Sequence, residues 1–218
     1  MKRLTVADLA AVVELQAAVA VGLPAGFIWP RAERGLGAYL DGTLGVAYGI
    51  AEGDALLAAS LLRVPDGGHP LAGPRFRHVP EADWARHACF LANTMVVPAA
   101  RGRGHQRTLV DARLAHAAST GMRWLCAGVA LRNSVSWANL VARGLAIADI
   151  RCDLGYPIIG LLRAVDAPEL TSDPSDQDVV GAHDHVQHQA VLQAGYLGAC
   201  LAPGGAVIYQ RISTPVGL

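Results

Sequence analysis

Lysine is nearly missing from these 218 residues: Lys2 is the only one, and arginine supplies the remaining fixed positive charge. No Lys/Arg run interleaves with aromatics, and 18 basic residues balance 18 acidic ones, so a nucleic-acid partner has no support. No apolar run reaches the roughly twenty residues that span a bilayer, so no membrane partner is expected. The N-terminus has Lys2 and Arg3 followed by Asp8 and Glu14, without the apolar stretch and cleavage site of a signal peptide. A soluble, cytoplasmic protein is expected. Four cysteines (Cys89, Cys126, Cys152, Cys200) form no CxxC pair, which predicts reduced, buried thiols. There is no HExxH, no Gly-x-Ser-x-Gly elbow and no solenoid repeat, so neither a zincin, a serine hydrolase nor a repeat array is expected. Alanine, glycine and valine are abundant instead, as in a GC-rich bacterial genome, and 52% hydrophobic residues suffice for one substantial core.

The chain is organised around Asn93 to Arg113. Thr94 to Val97, stopped by Pro98, reads as a buried strand. Leu109, Val110, Leu114 and Ala117 fall near helical spacing, which predicts a helix over 108–118. Between them lies Arg101-Gly102-Arg103-Gly104-His105-Gln106. The two glycines permit a tight turn and close approach of a ligand to the backbone. The helix start offers unpaired N–H groups and the positive end of its dipole, and the arginines add charge. The pattern predicts a strand, a pyrophosphate cradle and a helix, with an Arg/Gly-rich turn that holds no ligand as the alternative. A Rossmann fingerprint would need glycine where Arg107 stands, and a Walker A loop would need Gly-Lys-Ser/Thr.

Around this centre the pattern predicts a strand ending at Leu4–Val6 and a helix over 7–21, capped by Thr5 or Asp8. A short helix over 31–40 follows, then a strand pair over 44–50 and 55–64 about Glu52-Gly53-Asp54. Phe27, Ile28 and Trp29, in a turn-rich segment, either plug a core edge or wall an acceptor pocket. Residues 65–80 read as a long irregular loop. Strands are predicted over 87–97, 124–129, 146–152 and 158–165, with a helix over 134–143 ended by Gly144. The polar, proline-broken stretch 167–177 reads as a linker. A strand-helix-strand segment closes the chain, with its helix over 184–193. Within it His185 and His188 share a helix face, as a bidentate zinc site would need, but no further ligands accompany them. The expected alternative is a polar face capped by Asp184.

Two motifs in this order resemble those of the GNAT superfamily of N-acyltransferases. One is strand, Pro98, Arg101-x-x-Gly104-x-Gln106 and helix, which resembles the acyl-CoA signature; the superfamily usually has glycine or alanine where Gln106 stands. The other is Asn133-x-x-Ser136-x-x-Asn139-Leu140-x-x-x-Gly144-Leu145. The resemblance implies an α/β fold, with an α+β mixed sheet that splays open where acyl-CoA enters. It covers about residues 1–166, the GNAT-like core, with 167–218 as linker and C-terminal extension packed on the core or on a partner subunit.

The resemblance further implies that acetyl-CoA is the co-substrate and that no metal takes part. The backbone about Met95, Val96 and Val97 would orient the pantetheine and polarise the thioester carbonyl. Amides from Gly102, Arg103, Gly104, His105, Gln106 and Arg107, assisted by Arg101, would hold the pyrophosphate. Asn133, Ser136 and Asn139 would lie along the pantetheine, although Asn133 alone also suits a helix cap. Leu140 occupies the place where many relatives have a tyrosine that protonates the leaving thiolate. Tyr156, between the last two core strands, is the substitute acid, and Glu81 and His87, just before the central strand, are the candidate bases, with Asp83 beside them. The expected activity is N-acetylation of a primary amine on a small molecule or amino-acid derivative. The alternative is a catalytically silent acyl-CoA-binding module, and either form is compatible with a homodimer.

Overall fold

The computed structural model describes residues 1–24, 26–65, 76, 79–152, 155–166 and 172–212, with backbone alone at 172–174 and 212. The strands are β1 (Lys2–Arg3), β2 (Gly45–Glu52), β3 (Ala55–Arg63), β4 (Ala88–Val96), β5 (Trp124–Ala130), β6 (Ala146–Arg151), β7 (Ile158–Ala164), β8 (Ser172–Val180), β9 (Tyr196–Leu201) and β10 (Val207–Ile212). The helices are α1 (Leu9–Ala20), α2 (Glu33–Leu40), the one-turn α3 (Glu81–Trp84), α4 (His105–Ser119), α5 (Ser134–Val141) and α6 (His185–Gln193). All ten strands form one sheet in the order β1-β2-β3-β4-β5-β7-β6-β9-β10-β8. Every pairing is antiparallel except β4 with β5, so the sheet is mixed, as expected.

The strand pleat sorts neighbouring residues onto opposite faces. Ala47 and Leu61 pack with Val12, Leu15 and Leu36 under α1 and α2, while Val46 and Leu62 join the core under α4 and α5. Helix α1 begins one residue after a 3-10 turn, in which the Thr5 N–H donates to the Asp8 carboxylate at 2.9 Å. Helix α4 starts at His105, three residues earlier than the apolar pattern marks, because a helix's first turn needs no core-facing side chain. Most of the 65–80 loop lies outside the described residues, but Phe76 and Val79 are buried in the core.

The C-terminal segment differs from expectation. Residues 172–177 belong to β8 and not to a linker; only 167–171 lie outside the described residues. Polar alternation on a sheet-edge strand has the same composition as a linker, and pairing with β10 makes the difference. Strands β9, β10 and β8 extend the sheet beyond β6. The Asp184 carboxylate caps α6 by accepting the Gln187 N–H at 3.1 Å. No group of metal-ligating side chains occurs among the described residues. His188 is fully buried, its Nδ1 2.7 Å from the Tyr209 hydroxyl, so it belongs to the core of the extension and not to a polar face. Cys89 and Cys126 are buried as predicted, and burial pushes the Cys89 thiol up to about 12; Cys152 and Cys200 are exposed. No helix among the described residues is long and apolar enough to cross a membrane.

Candidate active site

The site follows from where β4 and β5 part. They pair from Ala88–Trp124 to Leu91–Ala127 and no further. Strand β4 then continues to Val96 along β3, while β5 continues to Ala130 along β7, leaving a wedge between them. Antiparallel residues alternate between pairs that exchange hydrogen bonds and pairs that do not. The Val97 N–H donates to the Leu57 carbonyl at 2.9 Å, so Met95, two residues back, also turns its amide toward β3. Val96 and Thr94 therefore turn theirs into the wedge.

This register corrects two expectations. Val97 has no amide to offer a ligand, since Leu57 holds it. Met95 has its side chain fully buried under α1 and its backbone committed to β3. Of the three residues, Val96 is the one whose amide is available in the wedge.

Beyond Pro98, Gly102 and Gly104 both adopt φ 79°, the left-handed region that glycine tolerates best. From Gly102 to Arg107 no amide has a backbone partner among the described residues, since the first N–H of the helix to find one is that of Thr108, with the Gly104 carbonyl. Consecutive unpaired amides at a helix start form an anion-binding concavity. A side-chain carbon at either glycine would meet nothing within 4 Å, so the space over the loop is open. The arginines are less free than their spacing implies. Arg101 Nε donates to the Val96 carbonyl at 3.4 Å, and Arg107 Nε to Asn139 Oδ1 at 2.8 Å. Arg103 lies 3.8 Å from Glu52 in an exposed pair that holds it weakly.

Helix α5 stands on the other side of the wedge. Asn133 caps it, accepting the Ser136 N–H, and also lines the wedge. Gln106 Nε2 donates to Ser136 Oγ at 3.0 Å, and Asn139 Nδ2 donates to Gln106 Oε1 at 3.0 Å. Gln106 thus ties the first turn of α4 to α5, and Asn139 is engaged with α4 side chains. Leu140 is buried and lines the cleft.

The cleft measures about 500 Å³ with its open mouth. Phe27, Ile28 and Trp29 line it, and Ile28 also packs against the core under α1 and α2, so the loop both walls the pocket and plugs a core edge. Asn93 fastens the wall by donating to the Trp29 carbonyl at 2.8 Å. Tyr156 stands directly behind: a side-chain carbon at Gly26 would lie 2.5 Å from its hydroxyl, and the Arg132 guanidinium lies 5.5 Å from its ring and 5.7 Å from that of Phe27.

Glu81 and His87 are not brought to this place. They precede β4 at its paired end, and roughly 15 Å of strand separates His87 from the start of the wedge at about 3.3 Å per residue. Neighbouring Asp83 is structural: its buried carboxylate accepts from Arg123 Nη1 at 2.9 Å and Trp124 Nε1 at 3.1 Å. Asp83→Ala is expected to cost about 1–3 kcal/mol in urea denaturation, while Glu81→Gln and His87→Gln leave turnover unchanged. A rate loss in either of the latter would restore it as a base.

Sequence reasoning missed Arg113. It is fully buried and lines the cleft, with Nε on the Leu109 carbonyl (3.0 Å), Nη1 on the Leu61 carbonyl (3.3 Å) and Nη2 on Thr94 Oγ1 (2.9 Å). Burial pulls its pKa down to about 9, so it stays cationic at neutral pH.

No family model matches the chain, and no curated protein matches it in sequence. Solved structures do match. An N-acetyltransferase acting on ribosomal-protein alanine, from Brucella melitensis, is 19% identical with a TM-score of 0.58, covering 75% of this chain and 98% of its own. A proposed acetyltransferase from Salmonella typhimurium, with acetyl-CoA as its cofactor, is 17% identical with a TM-score of 0.59, covering 77% of this chain and 94% of its own. A GCN5-related N-acetyltransferase from Kribbella flavida is 19% identical with a TM-score of 0.55, covering 75% and 95%. The chain has the fold of the GNAT superfamily of N-acetyltransferases.

Proposed function

We propose that the protein is an acyl-CoA-dependent N-acyltransferase, with acetyl-CoA the simplest donor and a primary amine of a small molecule or amino-acid derivative as acceptor. The observation that carries this reading is the wedge between β4 and β5, with the Val96 amide turned into it and six amides from Gly102 to Arg107 at its mouth that have no backbone partner among the described residues. These features fit a thioester on a long arm that ends in a pyrophosphate. The open space over Gly102 and Gly104 fits close approach of that anion.

Bound acyl-CoA would supply the electrophilic thioester carbon, and the chain supplies position and charge. The α4 amides and dipole hold the pyrophosphate, and the Val96 N–H orients the arm inside the wedge. The amine nitrogen forms the new C–N bond as the C–S bond breaks. Among the described residues no carboxylate or imidazole lines the cleft. The amine therefore reacts in its neutral form and gives up its proton through water, so the rate should rise with pH up to the pKa of the acceptor itself. The thiolate takes a proton from Tyr156 or from water. Tyr156→Phe is expected to lower turnover about tenfold or more with acyl-CoA affinity unchanged, if its hydroxyl is the acid. Equal rates across the pH range would remove it from the mechanism.

Two of these observations favour a second reading, a silent acyl-CoA-binding module: Leu140 at the usual tyrosine position and a cleft that no carboxylate or imidazole lines among the described residues. Titration with acetyl-CoA followed by thiol release against an amine panel separates the two. A homodimer, with the extension after Gln177 at the interface, completes the proposal; light scattering from a strictly monomeric species would remove it.

A further inference from the structure

Arg113 is the only ionised side chain among the described residues lining the cleft. Burying a guanidinium is costly unless an anion accompanies it, yet no carboxylate lies within 4 Å of it among the described residues. Its three hydrogen bonds all go to neutral oxygens. A guanidinium has five N–H donors, so one on each terminal nitrogen is uncommitted. A planar guanidinium with donors to spare matches a carboxylate in charge and shape.

Its position decides what would bring that carboxylate. Arg113 Nη2 rests on Thr94, two residues deeper along β4 than Val96 and facing the same wedge. The pyrophosphate loop lies beyond the other end of the strand, after Pro98. An arm that enters from the loop and passes Val96 therefore carries its acyl chain toward Thr94 and the guanidinium, between the apolar side chains of Leu91 and Leu140. We infer that the acyl pocket selects a chain ending in a carboxylate, as in malonyl- or succinyl-CoA, with Arg113 as the residue that determines specificity. This rests on the acyl-CoA reading of the site and names its donor class.

The test compares donors of one length that differ in charge. Calorimetric titration of the whole protein should give succinyl-CoA about tenfold or more tighter binding than butyryl-CoA. Arg113→Lys should retain part of that preference, and Arg113→Gln should erase it while still binding CoA itself. A purely structural arginine would move the melting temperature in both variants without changing the succinyl/butyryl ratio. Because Arg113→Gln sits at a fully buried position, the wild-type ratio decides the matter if that variant does not fold. Equal or tighter binding of butyryl-CoA by the wild type overturns the inference and leaves the acyl-CoA reading standing. No binding of either donor, nor of acetyl-CoA, removes both.

Discussion

Gly104→Val abolishes acetyl-CoA binding, lowering affinity by about a hundredfold or more, or roughly 3 kcal/mol. Two properties of Gly104 combine in this result. Its φ of 79° lies where a β-branched residue is strained, costing about 1–2 kcal/mol of stability. Its open side is also where a pyrophosphate would approach the α4 amides, and a valine would occupy that space. The strain needs its own control, and the same helix provides one. Gly121, just past the end of α4, has φ 72° and equally open surroundings but faces no proposed ligand. Gly121→Val should lower the melting temperature as much as Gly104→Val does and leave binding intact. Equal loss of binding in both would mean that the effect is strain on α4 and that the cradle is misassigned.

Val96→Pro loses acetyl-CoA binding and turnover while the fold keeps its stability, and Val97→Pro loses stability while the molecules that remain folded still bind. Proline removes one N–H donor. At Val96 that donor points into the wedge, where it has no partner among the described residues, and β4 there behaves as an edge strand that tolerates proline. At Val97 the same change deletes the bond to the Leu57 carbonyl and disrupts the pairing with β3. The expected stability loss at Val97 is about 3 kcal/mol, with little effect at Val96. Calorimetric binding read beside urea denaturation separates the two. If Val96→Pro binds acetyl-CoA normally, the wedge amide does not orient the ligand.

Apart from the one-turn α3, the order of elements through β7 was legible from strong local signals: two apolar runs about the Glu52-Gly53-Asp54 turn for β2 and β3, a proline stop after β4, and Gly144 with φ 76° after α5. The phosphate loop was legible for the same reason, since two glycines and a helix start are local. What depended on pairing was not. Nothing near Val97 in sequence reveals that Leu57 holds its amide. Glu81 and His87 looked close to the site because they adjoin β4, but a strand runs in one direction and they stand at its paired end. The aspartates of β8 looked like linker composition until β10 was seen beside them. Arg113 did leave a trace: with Gln106, Leu109, Val110 and Ala117 it falls on the i, i+3, i+4, i+7, i+11 stripe of α4, so a charged residue stood on the buried face.

The central claim is that this wedge binds acyl-CoA and passes the acyl group to an amine. It is met most directly by titrating the purified protein with acetyl-CoA in a calorimeter, then following thiol release in the same sample against a panel of amines. The account predicts one site per chain and thiol release that requires an amine and rises with pH toward that amine's own pKa. Saturable binding without release from any amine would favour the silent module, and no binding at all would contradict the account.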